Sequence, residues 1–107
     1  MLHKEIKSDV QSKWVAIKIA KDLKEEAEFF GGYEVRTEQS EAYTEVFFHS
    51  SEDTACKILT SSVLSHVFDV IRYYEMEYNG ISWYVDMTKE IDGRTKPAIV
   101  ITVSYKK

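Results

Sequence analysis

The segment from Asp9 to Phe30 constrains the fold most, because it carries the signals for both ends of one long helix. Ser8 precedes the segment as a good N-terminal cap, and Gln11 stands three residues later, as in a capping box. Glycine, which commonly ends helices, follows at positions 31 and 32. Apolar residues recur here with a period near 3.6. The predicted buried stripe consists of Leu2, Ile6, Val10, Trp14, Ile17, Ala20, Ala27 and Phe30. We predict a helix over residues 9–30, with the residues before it extending the helix or fraying.

Two segments of strand character follow this helix. Tyr33, Val35 and Thr37 alternate with charged residues, and the polar stretch 39–41 forms a turn. Residues 42–49 are rich in β-forming side chains, and both faces of that strand carry an aromatic residue. The pattern predicts a hairpin whose second strand is covered on both sides.

A second helix is predicted to open at residues 50–53, where serines and acids suit a helix N-terminus. Its predicted apolar stripe is Ala55, Leu59, Val63, His66, Val67 and Val70. The end of this helix has two interpretations, a stop near Asp69 or continuation to Tyr78. We favour the stop, because Asn79-Gly80 is a strong signal for a two-residue hairpin turn.

That turn pairs two predicted strands in a definite register, with Tyr78 opposite Ile81, Met76 opposite Trp83 and Tyr74 opposite Val85. Asp92-Gly93 marks a further turn, and the last strand follows Pro97. The predicted order is α-β-β-α-β-β-β. A chain of 107 residues fits one domain. We therefore predict a single α+β domain over residues 1–107, an antiparallel sheet with two helices packed on one face.

The residues that carry chemistry stand apart from one another in the sequence. Cys56 is the only cysteine, so no internal disulfide can form. His3, His49 and His66 lack metal-ligand spacing, and the chain has no phosphate-binding loop or nucleophile motif. We interpret His66 as a hydrogen-bonded core or boundary residue and Cys56 as a small buried one. The sequence predicts no enzyme, no cofactor and no metal.

The first ten residues lack the apolar core of a signal peptide. No run of apolar residues approaches the roughly 18 that a membrane span requires. These observations predict a cytoplasmic protein that does not bind membranes.

The net charge of −4 is unevenly distributed along the chain. Residues 1–21 carry five lysines and two acids, a charge of +3, whereas residues 22–53 carry ten acids and two bases, a charge of −8. The remaining residues carry +1. An acidic middle disfavours direct nucleic-acid binding, which needs a basic surface.

An acidic patch is the sharpest functional prediction from the sequence. Its candidate partner-binding residues are Glu25, Glu28, Glu34, Glu38, Glu41 and Glu45. Carboxylates on adjoining elements can dock on the basic surface of another protein and speed association at low salt. Tyr73 and Tyr84, predicted on the outer face of the last sheet, form a second candidate contact surface. The alternative to both is a solvated face that keeps the chain soluble.

Three functions from different classes follow. In size, acidity and aromatic content the chain resembles small phage or mobile-element proteins, anti-CRISPR inhibitors among them, which implies a non-enzymatic inhibitor that binds protein. Its element order resembles phage tail-terminator proteins, which implies a ring-forming subunit that pairs through sheet edges at residues 33–38 or 97–105. A small enzyme would require His66, Cys56 or His49 beside a carboxylate in one cleft.

Overall fold

The computed structural model describes residues 3–51 and 61–105. The elements in chain order are helix α1 (Asp9–Phe30), strands β1 (Tyr33–Gln39) and β2 (Tyr43–Ser50), helix α2 (Ser61–Glu77), and strands β3 (Ile81–Ile91) and β4 (Arg94–Ser104). The strands form an antiparallel sheet in the order β1-β2-β4-β3. Both helices pack on one face of it, which confirms the predicted α+β architecture.

The main core lies between the helices and that sheet face. Alternate residues of β2 and β4 point toward the helices, because side chains along a strand alternate between faces. The fully buried side chains at this interface include Val46, Phe48, Ile99, Ile101, Val103, Ile19, Leu23, Val67 and Ile71.

Helix α1 has the predicted ends, and Ala20 and Ala27 of its predicted stripe are buried, but the rest of its buried face differs from the prediction. The Ser8 hydroxyl accepts a hydrogen bond from the backbone N–H of Gln11, and Gly31 ends the helix with a positive φ of 72°. The buried stripe is Ser12, Val15, Ala16, Ile19, Ala20, Leu23 and Ala27. Val10, Trp14 and Ile17 are instead 59%, 64% and 51% exposed, so their prediction as core residues was wrong. Since α1 is apolar on two sides, its periodicity alone did not identify the side that packs.

Helix α2 continues to Glu77, so the preferred stop near Asp69 was wrong and the alternative of a longer helix is correct. No strand forms over residues 73–78, and the predicted hairpin across Asn79-Gly80 does not exist. The pair instead turns the chain from α2 into β3, with Gly80 at a φ of 98°. A Cβ atom on Gly80 would lie 2.7 Å from the carbonyl oxygen of Ser104, so the turn requires glycine at this position. The predicted opening of α2 at residues 52 and 53, with Ala55, Cys56 and Leu59, lies outside the described residues.

Residues 3–8, which precede α1, do not extend the helix, and they are held in place by contacts with the end of α2. Lys4 forms a parallel bridge with Tyr78, in which its N–H donates to the carbonyl of Glu77 and its carbonyl accepts from the N–H of Asn79, both at 2.9 Å. The Lys4 ammonium also pairs with the Glu77 carboxylate at 2.8 Å. Lys4 is therefore tied to the end of α2 by backbone and side-chain contacts.

The second face of the sheet is partly covered by the end of the β3–β4 hairpin. This turn uses Asp92 and Gly93, as predicted, both with positive φ. Ile91 is buried with Phe47 on this face, and the Arg36 guanidinium donates two hydrogen bonds to the Asp92 carboxylate at 2.9 and 2.5 Å. Strand β2 is thus covered on both sides, which confirms that prediction.

The free edges of the sheet differ from those predicted. Strand β1, which includes residues 33–38, is an edge strand as expected. Residues 97–104 lie in β4, which is paired on both sides with β2 and β3, so the prediction of an edge there was wrong. Strand β3 is the second edge. Neither described helix is both long and apolar enough to cross a membrane.

Candidate protein-binding groove

Helices α1 and α2 lie side by side and form a surface groove of about 420 Å³. Four carboxylates line it, those of Asp22, Glu25, Glu26 and Asp69. The remaining lining residues are His66, Val70, Tyr73 and Tyr74. The α1 residues come from one turn of that helix, and the α2 residues recur at helical spacing. We call this site the acidic groove.

Two of the four carboxylates accept hydrogen bonds from α2. The Tyr74 hydroxyl donates to Asp22 at 2.6 Å. Burial, and then the neighbouring Asp22 carboxylate, raise the pKa of Tyr74, so this hydroxyl stays protonated. Glu26 lies 3.1 Å from Nδ1 of His66. These bonds connect α1 to α2 across the groove.

The other two carboxylates, Glu25 and Asp69, are exposed and have no Lys or Arg within 4 Å in the described part of the chain. Among the described residues, the only basic side chain within 4 Å of a groove carboxylate is that of His66, so the groove carries an excess of negative charge. Aromatic rings border it. Phe29 is exposed and stacks on His66 with ring centroids 6.1 Å apart, and Tyr73 is exposed on α2.

The six glutamates predicted to form one patch lie in separate places. Glu25 lines the acidic groove. Glu28 and Glu34 line a neighbouring recess of about 490 Å³, where Lys24 and Arg36 also lie. Arg36 approaches Glu34 to 3.6 Å. This recess contains both signs of charge, so its net field is weak.

The remaining three predicted glutamates lie at the end of the β1–β2 hairpin, which we call the hairpin end. Glu38 and Glu45 are direct cross-strand neighbours, an unfavourable arrangement for two like charges. Glu41 is exposed in the turn, and its carbonyl accepts a hydrogen bond from the Tyr105 hydroxyl. Tyr84 lies on this outer sheet face as predicted, with its hydroxyl 3.4 Å from Glu45.

Sequence reasoning missed Asp69 and Tyr73 as groove residues, because it placed Tyr73 in a strand. Residues four apart on a helix share a face. If α2 had been predicted to continue to Tyr78, the four-residue spacing would have placed Asp69 and Tyr73 on the same face of that helix. The acids of α1 at positions 22 and 26 belong to the acidic segment that was recognised, but they were not selected.

Among the described residues, the candidate catalytic residues His49 and His66 do not lie in the same cleft. His49 is buried on β2 and its Nδ1–H donates to the carbonyl of Ser50 at 2.7 Å. Its Nε2 has no hydrogen-bond partner in the described residues, and burial lowers the pKa of this histidine. His66 is about half exposed and lies in the acidic groove, where its Nδ1 is 3.1 Å from the Glu26 carboxylate. It therefore has the neighbouring carboxylate that the small-enzyme alternative requires. Cys56 lies outside the described residues, within which no group of three potential metal ligands occurs.

Comparisons of the chain with protein-family models, with curated proteins and with solved structures gave no match.

Proposed function

We propose that this chain is a non-enzymatic protein-binding module that docks its acidic groove on a basic surface of another protein. The observation that carries the proposal is the meeting of four carboxylates from two helices in one groove, two of which form no ion pair within 4 Å among the described residues. A partner that uses its basic surface for nucleic acid would be inhibited by such docking. This is the inhibitory role that composition suggested.

Electrostatics favours this groove over the other acidic surfaces. The recess beside Glu28 and Glu34 is partly neutralised by Lys24 and Arg36. Charge concentrated in a concave surface focuses the field and steers an oppositely charged partner toward it. A Lys or Arg side chain of the partner would therefore bind more favourably in the acidic groove than in the neighbouring recess.

The aromatic border gives the groove a second means of recognition. Tyr73 and Phe29 expose rings next to the carboxylates. Interfaces are enriched in aromatic and Arg side chains, and a guanidinium or ammonium group also binds favourably over a ring face. We expect the partner to present Lys or Arg residues beside apolar ones.

Affinity capture with charge-reversed variants tests the proposal. The wild-type chain is immobilised and exposed to a cell lysate at low and high salt. The groove variant Glu25→Lys/Asp69→Lys is compared with the hairpin-end variant Glu38→Lys/Glu41→Lys, because both change the net charge equally. We expect a partner that is retained by the wild type and by the hairpin-end variant, is lost by the groove variant, and elutes with salt.

The same experiment can contradict the proposal in two ways. A partner lost only by the hairpin-end variant would place the contact at the hairpin end. A partner retained by both variants and unaffected by salt would show that negative charge does not direct binding.

A further inference from the structure

The two free edges of the sheet differ in a way that bears on self-association. Edge β1 carries the charged residues Glu34, Arg36 and Glu38, which discourage another strand from pairing there. Edge β3 carries apolar residues instead. Trp83, Tyr84, Val85 and Met87 are 41%, 47%, 38% and 53% exposed. Trp83 and Val85 point to the helix side of the sheet and Tyr84 to the outer side, so both faces of this edge are apolar. An edge strand with apolar side chains and few charges is open to pairing with another strand.

The hydrogen-bond pattern shows which backbone groups of β3 face outward. The N–H of Ser104 donates to the carbonyl of Gly80 at 2.9 Å, so residue 80 directs its backbone toward β4. Because backbone direction alternates along an antiparallel pair, Ser82 and Tyr84 also face β4. Trp83 and Val85 therefore direct their N–H and carbonyl groups away from the sheet, where no described strand pairs with them.

A register shift limits the length of this open edge. The pairing of β3 with β4 is interrupted between Asp86 and Lys89. Bulges bend a strand and end regular pairing. The straight part of the edge is therefore residues 81–86, which matches the five or six residues of an ordinary strand.

We propose that β3 pairs antiparallel with β3 of a second copy of this chain across a two-fold axis, joining two sheets into one. A strand that pairs with its own copy in this way automatically presents matching donors and acceptors. On the helix side, the Trp83 ring packs against Phe68 of α2 with ring centroids 4.6 Å apart and planes tilted by 46°, so the two copies would bring these ring pairs together.

Charge on α2 fits the same two-fold arrangement. A recess of about 250 Å³ beside Trp83 is lined by Arg72 and Glu75, which carry opposite charges on one helix face. Isologous packing places the same surface of both copies in contact. Arg72 of each copy then lies on the side where the other copy presents Glu75. The acidic groove lies on the opposite side of α2 and stays open in this dimer.

The mass of the purified chain as a function of concentration tests this inference. We expect sedimentation equilibrium to show a monomer of 12.5 kDa at low concentration and twice that mass as concentration rises. Val85→Lys puts a charge on the pairing edge of both copies, close to the two-fold axis, and should weaken the dimer about tenfold or more. Thr37→Lys adds the same charge to the β1 edge and should leave the dimer unchanged.

Amide exchange of the wild-type chain gives an independent readout that requires no variant. The N–H groups of Trp83 and Val85 should become protected from exchange only at concentrations where the dimer forms. A monomeric mass at the highest concentrations would overturn the inference. So would a dimer weakened by Thr37→Lys but not by Val85→Lys, or one in which these two amides remain unprotected. None of these results depends on a foreign partner, so this inference and the acidic-groove proposal can fail separately.

Discussion

At the scale of single residues, the least expected feature is a polar contact inside the core. Ser12 is fully buried on α1 and donates to the carbonyl of Val103 at 2.7 Å, while lying 3.1 Å from the Thr44 hydroxyl. A hydroxyl has a single proton to donate, so Thr44 must donate to Ser12. The contact links α1 to β2 and β4. No local sequence signal marks such a serine, because its partners lie 32 and 91 residues away.

Removing the Ser12 hydroxyl should destabilise the fold. Ser12→Ala leaves the Thr44 hydroxyl and the Val103 carbonyl without this partner, and we expect a loss of about 1–3 kcal/mol in the free energy of unfolding. Urea denaturation of the variant measures it. The double variant Ser12→Ala/Thr44→Val should lose less stability than the sum of the two single variants. The second change removes the Thr44 hydroxyl that the first change leaves without a partner. Strict additivity of the two changes would contradict the shared bond.

His49 predicts a pH dependence of stability. Burial lowers the pKa of His49 and outweighs the hydrogen bond to the Ser50 carbonyl and the charge of Glu34, which raise it, so the folded chain keeps this histidine neutral below the ordinary value of 6.5. The nearby Lys96 and Arg36 lower the pKa further. The unfolded chain binds the proton there, so stability should fall as pH drops from about 6.5 toward 5.

Comparison of two histidine variants isolates this effect. In His49→Gln, the free energy of unfolding should no longer fall in this way as pH drops below about 6.5, whereas in His66→Gln it should still fall. An equal slope in the wild type and His49→Gln would show that His49 does not cause the dependence. Carboxylates such as Asp92, whose pKa is lowered by the hydrogen bonds from Arg36, affect the stability of the fold at lower pH than His49 does.

At the scale of elements, the ends of α1 were predictable and its orientation was not. Capping by Ser8 and termination at Gly31 are local, so the sequence contains them. Which of its two apolar faces is buried depends on how well each packs against the sheet, and the sheet is formed by residues distant in the sequence. The end of α2 was misjudged for a related reason, since Asn79-Gly80 provides the same positive φ to a hairpin and to a helix-to-strand turn.

Two isoleucines on α1 test the orientation directly. Ile19 is fully buried, whereas Ile17, two residues earlier, is half exposed. Ile19→Ala should cost about 2–5 kcal/mol of stability, because it leaves a cavity in the core. Ile17→Ala should change stability by about 0.5 kcal/mol or less. Urea denaturation of both variants checks the difference, and a larger loss for Ile17→Ala would mean that α1 packs with its other face.

At the scale of the whole molecule, the acidic stretch of the sequence does not form one surface. Its acidic residues are distributed between the helix layer and the outer face of the sheet. Glu25 lies beside α2 in the acidic groove, whereas Glu38 and Glu45 lie on the opposite side of the sheet. The sequence identified the segment that carries the charge. It did not identify Asp69, which tertiary packing brings to the groove from a segment of nearly neutral charge.

The most direct test of the acidic groove is an NMR titration of the isotopically labelled chain with a lysine-rich peptide that contains one tryptophan. The peptide supplies the charge and the ring that the groove should recognise. Backbone amide shifts should concentrate at residues 22–29 and 66–73, diminish with added salt and disappear in Glu25→Lys/Asp69→Lys. Shifts centred on Glu38, Glu41 and Glu45, or spread evenly over all acidic residues, would contradict the groove as the binding site.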